Sequence, residues 1–136
     1  MENTDIVIGQ VTINMNITER MVSDILITAF DGHYGACHYW ATVDKIVTND
    51  AEDLLDEVWY SAVIRDNEAE EDALITIDEK SIIRGIEGLL TASSSLGLGI
   101  GQSLMKAIAT NDAGYIDGDV ADCVVQIAAL GQVTYS

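Results

Sequence analysis

The chain has 136 residues, 49% of them hydrophobic and 21% charged, with twenty-three Asp and Glu against six Lys and Arg for a formal net charge of −17. That length and hydrophobicity fit one domain over residues 1–136 with its own core, and exclude a disordered chain. A field of this sign disfavours direct nucleic-acid binding and anionic membranes, and attracts basic surfaces within a Debye length of about 8 Å.

Only two cysteines are present, and no basic segment followed by an apolar one opens the sequence. A secreted disulfide scaffold is therefore not expected. The least polar run, Leu89 to Leu104, is too short and too rich in Ser and Gly for a membrane span. The expectation is a soluble cytoplasmic protein, with no membrane contact. There is no proline, so turns must rest on pairs such as Asp31-Gly32, Asn111-Asp112 and Asp117-Gly118.

In chain order, DIVIGQVTINMN alternates apolar residues with a phase shift at Gly9, which predicts a strand over about residues 4–15 with a bulge at Gly9 and Gln10. Thr18 is placed to cap a helix in which Met21, Val22, Ile25, Leu26, Ala29 and Phe30 follow the 3.6-residue period, closed by Gly32. YWATVDKIV (39–47) and EVWYSAVIR (57–65) are rich in aromatic and β-branched residues and predict two strands. ALITIDE predicts a third, with Ala73, Ile75 and Ile77 inward, joined to its predecessor by the acidic hairpin DNEAEED. Asp78 then caps a helix with Ile82, Ile83, Ile86, Leu89 and Leu90 on one stripe. SSSLGLGIG breaks it, and a helix over about 100–109 follows. DVADCVVQIAAL predicts a last helix with Val120, Val124, Ile127 and Ala128 inward, ending at Gly131. The order predicts an α+β fold: an antiparallel sheet of about four strands with helices packed on one face.

Reactive side chains cluster only in DGHYGACHYW. Three ligands, His33, Cys37 and His38, fall short of a zinc tetrahedron unless Asp122 or Cys123 joined them, so no metal and no cofactor are expected. A thiol nucleophile needs a paired imidazole, and Cys37 and His38 would point to opposite faces of a strand. Among twenty-three acids, carboxylate pairs carry no information about catalysis, and Asp112 to Asp122 lacks the EF-hand pattern, so capping by Asp117 or Asp119 is the better reading. Gly97 to Gly101 matches neither nucleotide-loop spacing. No catalytic residue is assigned.

Two stretches are similar to a known pattern. DILITAFDGHYGACHYWATV and NDAGYIDGDVADCVVQIAALGQVTYS resemble the front and back motifs of small acidic proteins found in phages and actinobacterial genomes. Gly32, Gly35, Tyr39 and Trp40 match the front, and Ala121, Asp122, Gln126, Gly131, Val133 and Tyr135 the back. The resemblance covers about half the chain. It implies a phage or mobile-element protein in which the aromatic pair recurs while His and Cys do not stand out. HYGAC and the acidic middle depart from it.

That middle, Asp50 to Asp72, holds ten carboxylates: Asp50, Glu52, Asp53, Asp56, Glu57, Asp66, Glu68, Glu70, Glu71 and Asp72. With Trp59 and Tyr60 adjacent on a strand, one ring is expected outside beside the acid. The expected function is a phage-encoded inhibitor of a host defence complex, an anti-CRISPR or anti-restriction DNA mimic. It would bind a basic host protein or nucleoprotein through Asp56, Glu57, Trp59, Tyr60, Asp66, Glu68, Glu70, Glu71 and Asp72. A homodimer is compatible with this. The alternatives are an interaction domain whose acidity serves solubility and a small-ligand or metal-binding domain.

Overall fold

The computed structural model describes residues 6–9, 14–96 and 98–136, with side chains given outside 92–98. The order is helix α1 (Glu19–Phe30), strands β1 (Ala41–Thr48), β2 (Trp59–Asp66) and β3 (Leu74–Ile77), then helices α2 (Glu79–Leu96), α3 (Leu98–Thr110) and α4 (Gly118–Leu130). The strands form an antiparallel meander, β1-β2-β3. The α+β class and the helices' place in the order match expectation; the sheet has three strands where about four were expected. Described residues 6–9, 14 and 15 of the expected first strand are not in a sheet, and the rest of that stretch lies outside the described residues.

Alternation places Ala62 and Ile64 of β2 beside Ile46 and Val43 of β1 and Ile77 and Ile75 of β3 on one face. Ala62, Ile64 and Ile77 are fully buried there under α1 and α4. The opposite face carries Lys45, Val63, Arg65 and Thr76, as expected of a sheet with one wet side. Between Val43 and Lys45 the register slips, so the bulge of this fold falls at Asp44 on the edge strand β1.

Helix ends follow the sequence. The Thr18 hydroxyl accepts from the Met21 N–H at 3.1 Å, Asp78 from the Ser81 N–H at 2.9 Å, and Asp117 from the Val120 N–H at 2.9 Å. Gly32 and Gly131 both adopt the left-handed conformation, at φ 57° and 83°, which costs glycine little. Bonds from Ser81 hold the Asp78 carboxyl below the usual range.

Several boundaries differ from expectation by one or two residues, Ala73 among them lying exposed before β3, and two differences have a plain reason. Helix α2 continues through Ser93–Ser95 to Leu96, because serine costs a helix only a few tenths of a kcal/mol per residue against alanine and three do not break it. β1 begins at Ala41 because residues 37–41 form a helical turn, with the Trp40 and Ala41 N–H groups donating to the Cys37 carbonyl at 3.1 and 2.9 Å. On α2, Ile83 is exposed while Ile82, Ile86 and Leu89 are buried.

Helices α2 and α4 cross at a glycine. A methyl at Gly85 would stand 2.3 Å from the Val124 carbonyl oxygen, a backbone atom, whereas one at Gly88 would meet the Ile127 side chain at 2.6 Å. Backbone cannot yield without separating the helices, whereas a half-buried isoleucine side chain can shift with its own helix turn. Gly85→Ala should therefore lower stability by about 1–3 kcal/mol in urea unfolding, despite its better helix propensity. Gly88→Ala should change it by less than about 1 kcal/mol. Equal effects would contradict this crossing geometry.

Candidate functional site

Helix α1 ends against a loop that folds back on it. The Ala36 and Cys37 N–H groups donate to the Thr28 and Ala29 carbonyls at 3.0 and 2.9 Å, satisfying two groups that a helix C-terminus leaves open. Gly35 permits this approach: a Cβ there would lie 2.7 Å from the Ala29 oxygen and 2.8 Å from His38 Nε2. The loop then delivers Cys37, Tyr39 and Trp40 to the first turns of α4.

There they meet Asp122. Its Oδ1 accepts from the Trp40 indole N–H at 2.9 Å, from Gln126 Nε2 at 3.0 Å and from Cys37 Sγ at 3.5 Å, and its Oδ2 accepts from the Tyr39 hydroxyl. Trp40 is completely buried and Tyr39 is 47% exposed. One ring anchors the core, yet both polar tips converge on one carboxylate because the pair sits in a turn and not in the strand expected over 39–47.

Gln126, one helical turn after Asp122 and fully buried, extends the network to the tail. Its Oε1 accepts from the Thr134 and Tyr135 N–H groups, both at 2.7 Å, and its Nε2 also donates to the Tyr135 carbonyl at 3.0 Å and the Tyr39 hydroxyl at 3.2 Å. The side-chain amide thus pairs with extended backbone as a neighbouring strand would. The Tyr135 ring packs at 5.6 Å from Trp40, and its hydroxyl donates to Asp66 Oδ2 at 2.8 Å. Asp66 begins the acidic hairpin, and the Asn67 N–H is held by the Trp40 carbonyl at 2.7 Å.

A cleft of about 810 Å³ opens beside this network. Tyr34, Tyr39, Tyr135 and Val133 form walls, with Asp119 and Asp122 of α4 in the lining. Burial, with Asp122 adding to it, pushes the Cys37 thiol far up. Burial and the bond to Asp122 do the same to the Tyr39 hydroxyl. A buried thiol that donates to a carboxylate lacks thiolate character. Among the described residues no three His, Cys, Asp or Glu side chains are grouped to hold a metal ion. His33 is exposed, and His38 Nε2 is buried without a hydrogen-bond partner.

The nine sequence-predicted binding residues fall at two places. Asp56, Glu57, Trp59 and Tyr60 lie at one end of β2, and Asp66, Glu68, Glu70, Glu71 and Asp72 at the other. The two groups sit at opposite ends of the eight-residue strand, which begins at Trp59 and ends at Asp66 and spans about 25 Å at 3.4 Å per residue. Neither ring stands out beside the acid: Trp59 and Tyr60 are both half-buried, and the Trp59 indole N–H donates to Glu57 Oε1 at 3.2 Å. The register shifts between the Val47↔Ser61 and Thr48↔Trp59 pairs, which leaves Tyr60 out of the ladder and breaks the strict alternation that predicted one ring outside. The exposed apolar side chains beside acid are others: Leu54 and Leu55, at 80% and 84% exposure, at the first end, and Tyr34 and Tyr39, at 98% and 47%, near the second.

Sequence reading did not assign Asp122 a binding or structural role. The Asp-x-x-x-Gln spacing, which aligns two polar groups on the otherwise apolar face of α4, was the available signal. No protein family, curated protein or solved structure matches the chain. Among the described residues no helix is long and apolar enough to cross a membrane.

Replacing Asp122 by Ala would strand the buried Trp40 N–H, while Gln126 Nε2 keeps the Tyr135 carbonyl and the Tyr39 hydroxyl for its two hydrogens, and should cost about 1–3 kcal/mol in chemical unfolding. Gln126→Ala should release the tail, read as faster hydrogen exchange at the Thr134 and Tyr135 amides; unchanged exchange there would disprove the clamp.

The raised thiol gives a pH dependence of definite sign. Above 9.0, its ordinary value, the unfolded chain gives up the Cys37 proton while the folded chain keeps it. That part of the stability is intact below pH 9.0 and falls as pH rises, by about 1.4 kcal/mol per pH unit. Cys37→Ala should reduce this alkaline limb in unfolding titrations, leaving a remnant from Cys123, whose thiol burial also pushes up, and from the Tyr39 hydroxyl.

Proposed function

We propose that the chain is a non-catalytic, acidic interaction protein that occupies the nucleic-acid-binding surface of a basic partner. The resemblance to phage and actinobacterial proteins supplies the setting, a phage or mobile-element protein, and the charge supplies the role within it, an inhibitor of a host defence complex. The observation that carries the reading is unneutralised acid beside exposed apolar groups. Among the described residues the ion pairs are those of Arg65, to Asp44 at 3.7 Å and Asp72 at 2.6 Å. The other carboxylates have no ion-pair partner among the described residues: some, such as Asp78, Asp117 and Asp122, accept hydrogen bonds from neutral donors, and the exposed ones of the 50–57 and 66–72 segments keep their charge uncancelled.

At both ends of the sheet this acid surrounds large apolar side chains. Leu54 and Leu55 project between Asp53 and Asp56, and Tyr34 and Tyr39 flank the cleft near the 66–72 hairpin. A surface shaped only for solubility gains nothing from exposed leucine and tyrosine. A binding surface uses them as desolvated anchors inside a charged rim that speeds association. The two acidic poles, about 25 Å apart along β2, would meet cations spread along a groove that normally tracks a phosphate backbone.

The test is a complex recovered from host lysate, followed by its affinity against salt and against competing DNA. Affinity should fall at least tenfold between about 50 and 200 mM NaCl, DNA should compete, and neutralising Glu68, Glu70, Glu71 and Asp72 together should weaken binding about tenfold and flatten the salt slope. A complex indifferent to salt, DNA and these substitutions would refute mimicry. Full stability of the free chain at low ionic strength fits a binder, whereas a strict need for molar salt favours the solubility reading.

A further inference from the structure

We propose that the cleft beside Asp122 is a receptor for a single arginine side chain of the basic partner. The inference rests on the acidic-surface reading for the partner's identity, and on the cleft alone for the chemistry. Every Lys and Arg of the sequence lies at 20, 45, 65, 80, 84 or 106. None is on α4, on the 31–40 loop or on the tail, the segments that supply most of the cleft. Asp122 is solvated there by four neutral donors, which orient the carboxylate and leave its charge uncancelled. Asp119, one turn away on the same lining, is exposed and makes no hydrogen bond or ion pair among the described residues.

Three tyrosines complete the lining. A cation over a tyrosine ring is attracted by the ring's quadrupole, more strongly as water is excluded. The protein already pairs these groups once, with Lys106 Nζ 4.5 Å from the Tyr115 ring centre. At about 810 Å³ the cleft exceeds one side chain and suits a side chain with its flanking backbone. Arginine fits better than lysine. Its planar guanidinium can stack on Tyr34 or Tyr39 while its fork reaches the Asp119 carboxylate, whereas an ammonium is a strongly hydrated point charge. The Tyr135–Asp66 bond joins this cleft to the acidic hairpin, so a basic segment drawn to the hairpin would arrive with its next side chain at the cleft.

The experiment titrates the full chain, labelled with nitrogen-15, with a terminally blocked pentapeptide carrying one central arginine, and with its citrulline counterpart, which keeps the shape and loses the charge. The arginine peptide should shift the amides of Tyr34, Tyr39, Asp119 and residues 133–136. Citrulline should bind about tenfold more weakly, and Asp119→Asn and Tyr34→Ala, both at exposed positions, should each weaken the arginine peptide about fivefold. Equal binding of citrulline, or shifts confined to 66–72, would overturn the proposal. Neutralising Glu68, Glu70, Glu71 and Asp72 separates the two ideas. If that variant loses the basic partner while citrulline equals arginine, the cleft inference fails and the acidic-surface reading stands. If the peptide behaves as expected while partner binding ignores the hairpin charges, the reading fails and the cleft inference stands.

Discussion

The carboxylate of Asp122 fixes the relation between three distant parts of the chain. Its donors come from the loop after α1 and from α4 itself, and through Gln126 the same network fastens the tail. A half-buried charge is tolerable only when its lone pairs are filled, and here the filling groups are the indole of a fully buried tryptophan, a phenol and an amide. The bonds therefore specify geometry as well as contributing energy. Trp40 cannot rotate without losing its bond to Asp122, and Tyr39 cannot leave the cleft wall, nor Gln126 turn its carbonyl away from the tail, without breaking several bonds at once. Because the partners of each group are shared, the network should act cooperatively, with coupling larger than any one bond suggests.

Around that point the core is built from ordinary amphipathic pairing. α1 buries Met21, Val22, Ile25, Leu26, Ala29 and Phe30, and α4 buries Val120, Ala121, Val124 and Val125. The close crossing at Gly85 lets α2 and α4 approach backbone to backbone, which excludes voids between them. This packing has to outweigh the self-repulsion of a chain with net charge −17, which grows as salt is lowered. Burial of Asp24 adds a small opposing effect: its carboxyl is pushed up, chiefly by desolvation, so mild acid relieves it.

Most of the fold was legible because its signals are local. Thr18, Asp78 and Asp117 cap where short polar side chains before apolar periods should, and Gly32 and Gly131 close helices for the steric reason glycine always does. What was not legible depends on contacts between residues far apart in sequence. Tyr39 and Trp40 look like the start of a strand because aromatic residues favour strands, and only the Asp122 carboxylate, more than eighty positions away, gives the turn conformation its reason. Ser93–Ser95 look like a break because serine is common in loops, yet propensity costs of a few tenths of a kcal/mol lose to a continuing helix. The acidic run reads as one feature in sequence and becomes two because a strand of full length passes through it.

The same separation bears on what the charge can do. Acid spread evenly over a surface raises solubility and selects no partner, since every approach direction meets the same field. In this chain the cations are segregated away from α4, the 31–40 loop and the tail, so one side of the molecule carries carboxylates with no local opposition. On that side the Asp122 network also holds Tyr39 and Tyr135 in fixed positions, which removes part of the ordering cost that a partner would otherwise bear on binding. Charge brings a basic surface close, but charge in water discriminates weakly at contact. Discrimination requires rigid groups whose solvation a partner must replace correctly, and under the proposed reading the residues that stabilise the fold at Asp122 would be the ones to supply them.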